Sequence, residues 1–301
     1  MDLVFFFEGT VMSLKVMIIP PEADGMKTEM LLRRLFPDLP ESVIRKLFDA
    51  RDVRLDGIRV RKNEPVCAGQ ELRVFLPDSA GNVSSLRIVY EDNDVLLVNK
   101  PAGISVENDT QGSFSLTELC RLHVAEHDSG AFIPVPCHRL DNRTSGLCLF
   151  AKNEQALKIL ENSFRERTVE KYYICLVRGI PKPLSAVCRA FLRKDAEKGK
   201  VTILDRELPG SRPIVTGYET LESGPVSRLK VHLITGRTHQ IRAHLAALGH
   251  PLLGDDLYGD RDFNRHHKAR SLKLCAVSLT VSTGNRLPLL EGKTFEIPPP
   301  F

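Results

Sequence analysis

The feature that most restricts how this chain can fold is a succession of short, β-type apolar runs from residue 87 onward, interrupted by few patterns of helix length. Arg87-Ile88-Val89-Tyr90, Val95-Leu96-Leu97-Val98, Leu147-Cys148-Leu149-Phe150, Tyr173 to Val177 and Arg228 to Leu233 are short and rich in leucine, β-branched and aromatic side chains, which suits strands rather than helices. Clear helical patterns are Asn153 to Arg167 and Thr238 to Leu248. The first has Asn153 as its cap and Leu157, Leu160 and Phe164 inward; the second has Ile241, Leu245 and Leu248 as an apolar stripe and stops at Gly249. Such an order implies an α+β fold on a large mixed or antiparallel sheet.

Residues 14–77 read as a separate small α/β unit. Leu31, Leu32 and Leu35 fall at helical spacing, and after Phe36-Pro37 a second helix presents Val43, Ile44, Leu47 and Phe48. Val53-x-Leu55 and Ile58-x-Val60 alternate about Asp56-Gly57, a dipeptide suited to the positive φ angles of a tight hairpin, and Leu72-x-Val74-x-Leu76 continues the sheet. Residues 78–86 are mostly small and polar, the composition of a linker, which leaves 87–301 as the larger domain. Patterning starts at Leu14, so Met12 is a second candidate start beside Met1.

With 42% hydrophobic and 27% charged residues, the chain is neither disordered nor fibrous. Seven cysteines without a Cys-x-x-Cys pair point to reduced thiols and a cytoplasmic protein. Leu3 to Phe7 is short, lacks a basic leader and runs into Glu8, so no export is expected. No apolar run approaches the ~20 residues of a membrane span, so no membrane partner is expected. The net charge of +4 is weak, but Arg45, Lys46, Arg51, Arg54, Arg59, Arg61 and Lys62 gather around the hairpin, a candidate phosphate-binding face.

The chemistry concentrates in two segments. His138-Arg139-Leu140-Asp141-Asn142-Arg143-Thr144-Ser145-Gly146 sets one carboxylate among cations, surroundings that favour an ionised group able to act as nucleophile or base. An isolated Asp beside Arg is more often a salt bridge that fixes a loop. Leu233 to Leu245 joins a strand, a Gly236 turn and a helix whose first turn carries Arg237, His239 and Arg242, and helix N-termini suit phosphate. His239 and His244 have no third ligand at zinc spacing, so no metal is expected. Asp255 and Asp256, after Gly254, read as loop ligands to backbone amides.

Together these segments resemble the RluA-like pseudouridine synthases. His138 to Gly146 is similar to the family's His-Arg-Leu-Asp-x-x-Thr-Ser-Gly motif, and Thr235 to Leu245 to its Thr-Gly-Arg-Thr-His-Gln-Ile-Arg-x-His motif. Asn99 to Gly103, Lys171-Tyr172-Tyr173 and Gly249 to Asp255 extend the likeness from about Ile88 to the C-terminus. Cys275 departs from the family, which commonly has His there, and the Pro298-Pro299-Pro300-Phe301 ending is short. The helix-helix-hairpin order upstream resembles an S-four-like RNA-binding domain, although Met26 to Glu29 replaces the usual Arg-Leu-Asp opening.

The resemblance implies a catalytic domain with a central cleft that acts on RNA without a cofactor, with ribosomal RNA of the large subunit or transfer RNA as substrate and a monomeric enzyme. It implies Asp141 as the catalytic carboxylate, Arg242 as its partner and Tyr173, in preference to Tyr172, as the ring that stacks on the uracil. Arg139 would fill the gap left by the flipped nucleotide, with His138, Arg237 and His239 among the RNA contacts. A binding protein that has lost its chemistry would need no carboxylate paired with arginine. An ordinary glycosidase would need two carboxylates, and only Asp141 stands in a motif.

Overall fold

The computed structural model describes residues 3–7, 10–36, 39, 41–61, 63–77, 86–107, 115–125, 132–195 and 199–301. Pro37, Lys62 and residues 78–85 of the expected linker lie outside the described residues, as do the side chains of Val43 and Lys46. The chain divides into two compact units, one of residues 1–87 and 103–129, the other of 88–102 and 130–301.

In the first unit, strand pairing begins ahead of the readable alternation. β1 (Leu3–Phe7) pairs antiparallel with β2 (Thr10–Ile18), and Met12 lies within β2. Then come α1 (Thr28–Leu35), α2 (Glu41–Asp49), β3 (Val53–Leu55), β4 (Ile58–Arg59) and β5 (Glu71–Pro77), in a sheet ordered β1-β2-β5-β3-β4. The β3–β4 turn has φ 50° at Asp56 and 78° at Gly57, the double positive φ of a two-residue hairpin. Leu31, Leu32, Leu35, Ile44, Leu47, Val53, Leu55, Leu72 and Val74 are buried, as the helical and alternating periods require.

The second unit opens with β6 (Ile88–Glu91) and β7 (Val95–Lys100). The first unit takes back α3 (Leu116–Ala125), after which the second continues with β8 (Val135–Pro136), β9 (Ser145–Ala151), α4 (Glu154–Glu166), β10 (Val169–Arg178), β11 (Ser185–Asp195), β12 (Lys200–Leu204), β13 (Ser211–Glu222) and β14 (Val226–Leu233). It ends with α5 (Gln240–Ala247), α6 (Arg261–His266), β15 (Leu274–Val281) and β16 (Lys293–Glu296).

Its sheet runs β12-β11-β13-β14-β10-β15-β9-β7-β6, with β8 added on β9 and β16 on β15. Neighbours are antiparallel except β15 and β9, which run parallel, so the sheet is mixed and the fold α+β. β9 is buried at every position and β7 at all but Asn99, which is why their apolar residues are continuous rather than alternating. Val95, Leu97, Leu147 and Leu149 pack with Ala156 and Leu160 of α4, whose N-terminus is closed by Asn153 accepting the Ala156 N–H at 2.8 Å.

The β9–β15 contact depends on Gly146. Its φ is +117°, and a Cβ there would run into the Ala276 backbone, so a side chain would force the two strands apart. Ala276 pairs with Gly146 on one side and with Tyr173 on the other. One row across β9, β15 and β10 thus runs from Gly146, the end of the Asp141 segment, through Ala276 to Tyr173.

α5 corrects the sequence reading in two ways. It starts at Gln240 instead of Thr238, because His239 takes a left-handed conformation with φ 55°. Leu248 is not part of the buried stripe but 43% exposed, since the helix is already enclosed at every position from Gln240 to Leu245.

Candidate active site

The loop from His138 to Thr144 leads into β9, and its shape is held from inside. Thr144 N–H donates to the Asp141 carbonyl at 3.0 Å. Lys100 at the end of β7 is fully buried and donates to the carbonyls of Pro101 at 2.9 Å and Asn142 at 3.0 Å. Loss of water pulls its pKa down to about 8, opposed by the charge of Asp141. A buried ammonium therefore anchors the backbone next to Asp141.

The Asp141 side chain is partly exposed, with Oδ2 3.6 Å from Nη1 of Arg242 and 3.9 Å from Nε2 of His239. The expected Asp141–Arg242 pair is thus present, but it is not the tightest contact of Arg242. That guanidinium is buried and grips Asp255 with two parallel bonds, Nε to Oδ2 at 2.7 Å and Nη2 to Oδ1 at 2.9 Å. The fork on Asp255 adds to the Asp141 pair a partner that the sequence reading did not assign to Arg242: fork geometry suits a buried guanidinium facing a buried carboxylate. Burial alone would raise the Asp255 pKa, but the bonds from Arg242 and from the N–H groups of Tyr258 and Leu257 outweigh it and the net shift is downward. Asp255 is a loop ligand to amides, as expected, and also the anchor of Arg242.

Asp256 is 3.7 Å from Nη2 of Arg242 and forms an ion pair with Arg143. Arg143 is therefore turned from Asp141 toward the Asp255 loop.

His239 joins the same group. Its left-handed φ is uncommon for a non-glycine residue and costs of order 1–3 kcal/mol. Nδ1 lies 3.0 Å from the Tyr258 hydroxyl, which accepts the Val201 N–H at 2.9 Å. Burial lowers the imidazole pKa although Asp141 pulls the other way. Tyr258 also lies under the guanidinium, 5.4 Å from Cζ to ring centroid.

The turn before α5 is fixed by Gln240, whose amide oxygen accepts from Thr235 Oγ1 at 2.9 Å and Arg237 N–H at 3.2 Å, while its nitrogen donates to the Val215 carbonyl and Thr216 Oγ1 on β13. His244 Nδ1 meets Thr216 Oγ1 at 2.9 Å, the structural hydrogen bonding expected of it. Arg237 is exposed. No group of His, Cys, Asp and Glu among the described residues could hold a metal ion.

Tyr173 is buried, its phenol pKa raised first by burial and then by the charge of Asp141. Tyr172, one position along β10, stacks on His232 at 4.6 Å with Lys230 above it at 4.8 Å. Strand alternation thus separates the two tyrosines.

His138 is tied into its own unit. Nε2 accepts the Leu149 N–H at 3.2 Å, the ring lies 5.0 Å from Phe164, and burial with the nearby Lys171 ammonium pushes the pKa down to about 3. The imidazole is neutral and committed within the unit. Arg139 is exposed beside Asp141. In the first unit, Arg45, Arg51, Arg59 and Arg61 are exposed, whereas Arg54 is half-buried with its guanidinium 5.0 Å over Phe75.

Asp255 as anchor and Tyr258 as bridge were missed from the sequence. Both stand in the run Gly254-Asp255-Asp256-Leu257-Tyr258-Gly259, next to a matched segment, and that adjacency was the available signal. Cys275 is fully buried against Ile174 and Val277, where a small side chain fits.

A family model described as RNA pseudouridylate synthase matches residues 94–247. The "Ribosomal large subunit pseudouridine synthase C" of Vibrio vulnificus (strain CMCP6) is 35% identical over 84% of this chain and 83% of its own, and that of Escherichia coli (strain K12) is 31% identical over 84% and 82%. Among solved structures, "Human RNA Pseudouridylate Synthase Domain Containing 1" is 29% identical with a TM-score of 0.59, covering 73% of this chain and 86% of that one.

Proposed function

Because the chain belongs to the RNA pseudouridylate synthase family, we propose that it isomerises uridines of large-subunit ribosomal RNA, with Asp141 as the carboxylate that acts at the glycosidic bond. The protein is an RNA pseudouridine synthase, an isomerase of the RluA-like type. Uridine and pseudouridine contain the same atoms: the bond from ribose C1′ to N1 breaks, the base turns, C1′ joins C5, and the proton leaving C5 balances one gained at N1. The ribosomal substrate rests on the names of the relatives. A cytoplasmic site of action fits the ribosomal RNA named for the relatives.

The observation that carries the catalytic reading is Asp141 Oδ2 lying 3.6 Å from the buried Arg242 guanidinium, with Tyr173 in the strand row next to Gly146. A stacked uridine must leave its helix at a cost of a few kcal/mol. The Tyr173 ring offers a stacking face for the extruded uracil, and its raised pKa keeps the hydroxyl protonated as a donor. Arg139 occupies the space the base vacates. Arg237 and His239 contact the RNA near the target. Arg242, held by Asp255, orients Asp141, which then labilises the glycosidic bond. The first unit acts as an S-four-like RNA-binding domain through Arg45, Arg59 and Arg61.

Asp141→Asn is expected to abolish pseudouridine formation in an unmodified large-subunit ribosomal transcript while RNA affinity stays within a few-fold. Normal product from this variant rules the assignment out. A pseudouridine map of cellular RNA with and without the gene identifies the substrate, and a site lost from transfer RNA alone would redirect it.

A further inference from the structure

We propose that the basic segment Arg261–Arg270 is a phosphate-binding lobe for the RNA strand flanking the target uridine, fastened to the loop that holds Arg242. The proposal rests on the RNA-modifying reading above and adds a contact surface outside the reaction centre.

Six of these ten residues are Arg, Lys or His: Arg261, Arg265, His266, His267, Lys268 and Arg270. All six are exposed. The acids nearby are already engaged. Asp260 caps α6 by accepting from the N–H groups of Asp262 and Phe263 and pairs with Arg178, and Asp262 pairs with Arg265 at 3.3 Å. Arg261, Lys268 and Arg270 form no ion pair with a described carboxylate. A helix that merely solvates itself typically interleaves both signs of charge; this segment leaves net positive charge on one short surface, which suits a polyanion. His266 and His267 meet edge-on at 4.9 Å, and His267 rests on Phe263 at 4.5 Å. They add ring faces for unstacked bases.

The attachment to the active centre is rigid. Asn264 accepts the Gly254 N–H at 2.8 Å and donates to the Asp255 carbonyl at 2.9 Å. Gly254 has φ +77°, and a Cβ there would collide with the Ser271 carbonyl, so the loop and the segment after the lobe touch backbone to backbone. Asp255 in turn holds Arg242, which reaches Asp141. A phosphate bound at the lobe is therefore placed at a set distance from the reacting carboxylate.

The test compares the full-length protein with the triple variant Arg261→Gln, Lys268→Gln, Arg270→Gln on an unmodified transcript of large-subunit ribosomal RNA. Kd is measured across KCl concentrations, and pseudouridine formation is followed under single-turnover conditions at saturating RNA. The expected result is a Kd raised about tenfold or more, a log Kd against log salt slope shallower by roughly 2–3, and a saturating rate within twofold of the parent. Unchanged Kd and slope overturn the lobe, as does a fall in saturating rate at unchanged Kd. A charge-matched variant, Arg193→Gln, Lys194→Gln, Arg212→Gln, is expected to bind like the parent; an equal loss there overturns a localised lobe in favour of a diffuse field. Wild-type protein that forms no pseudouridine counts against the substrate reading alone, because the binding slopes judge the lobe separately.

Discussion

Arg242 carries one positive charge among Asp255, Asp141 and Asp256, and the distances rank them. Asp255 receives both parallel bonds, while Asp141 stays at 3.6 Å and Asp256 at 3.7 Å. This ranking suits the proposed reaction: a carboxylate locked into a bidentate fork has its lone pairs engaged, whereas Asp141 stands outside the fork and in that proposal offers an oxygen to substrate. Asp255→Asn leaves the guanidinium buried with one ionic partner fewer. Breaking a buried pair costs about 3–5 kcal/mol, so the melting temperature is expected to fall by several degrees. The single-turnover rate is expected to drop at least about tenfold, since ~1.4 kcal/mol of lost transition-state stabilisation is a factor of ten. A folded variant with the parental rate would falsify the positioning role. The pH dependence has a definite sign. The folded Asp255 pKa is depressed, so its contribution is complete above the ordinary carboxylate range and is lost as pH falls through the folded value. The variant's stability is therefore expected to vary less with acidification than the parent's.

At the scale of elements, the site is built where strand ends and a short helix converge. β9 starts directly after the Asp141 loop, β10 carries Tyr173, and β15 lies between them through its Ala276 pairings. α5 reaches this place because Gln240 ties its first turn to β13 and His239 bends the chain with a left-handed φ. Gly146→Ala is expected to push β9 from β15 and, because Ala is placed at a positive φ and against the Ala276 backbone, to destabilise the unit by more than ~1 kcal/mol, read as a lowered denaturation midpoint. If the fold persists, activity is still expected to fall, because Asp141 and Tyr173 are set by the same strand row; parental stability and rate together would show the row to be tolerant. Helix periodicity identified α4 correctly and misjudged α5. α4 has one buried side and obeys its period, whereas α5 is enclosed nearly all round, so hydrophobic spacing carries little information about its ends or orientation.

On the scale of the whole molecule, the division of labour is a large mixed sheet for chemistry and a small five-stranded unit with exposed cations. Replacing Arg45, Arg59 and Arg61 together by Gln is expected to weaken binding to ribosomal transcript and make it less salt-dependent, by roughly 0.7–0.9 in log–log slope for each phosphate no longer neutralised, with the saturating rate retained. Identical binding curves would reduce those arginines to a solvated surface. Much of the architecture was legible in the order of residues: the Asp56-Gly57 hairpin, the Asn153 cap and the buried runs of β7 and β9 depend on local stereochemistry or on continuous burial, both of which leave marks at short range, whereas the segments around Asp141 and Arg242 were legible only through their resemblance to a family. Strand order, the parallel β9–β15 contact, the hold of Asp255 on Arg242 and the inward commitment of His138 were not. Each joins residues distant along the chain, and each is decided by which partner remains within reach once the backbone has closed. The amino-acid sequence by itself determined the family motifs and the period of most elements. The tertiary structure alone decided which carboxylate grips the buried guanidinium and which stays available, because the cost of burying a charge is settled by the geometry of its neighbours and not by their order in the chain.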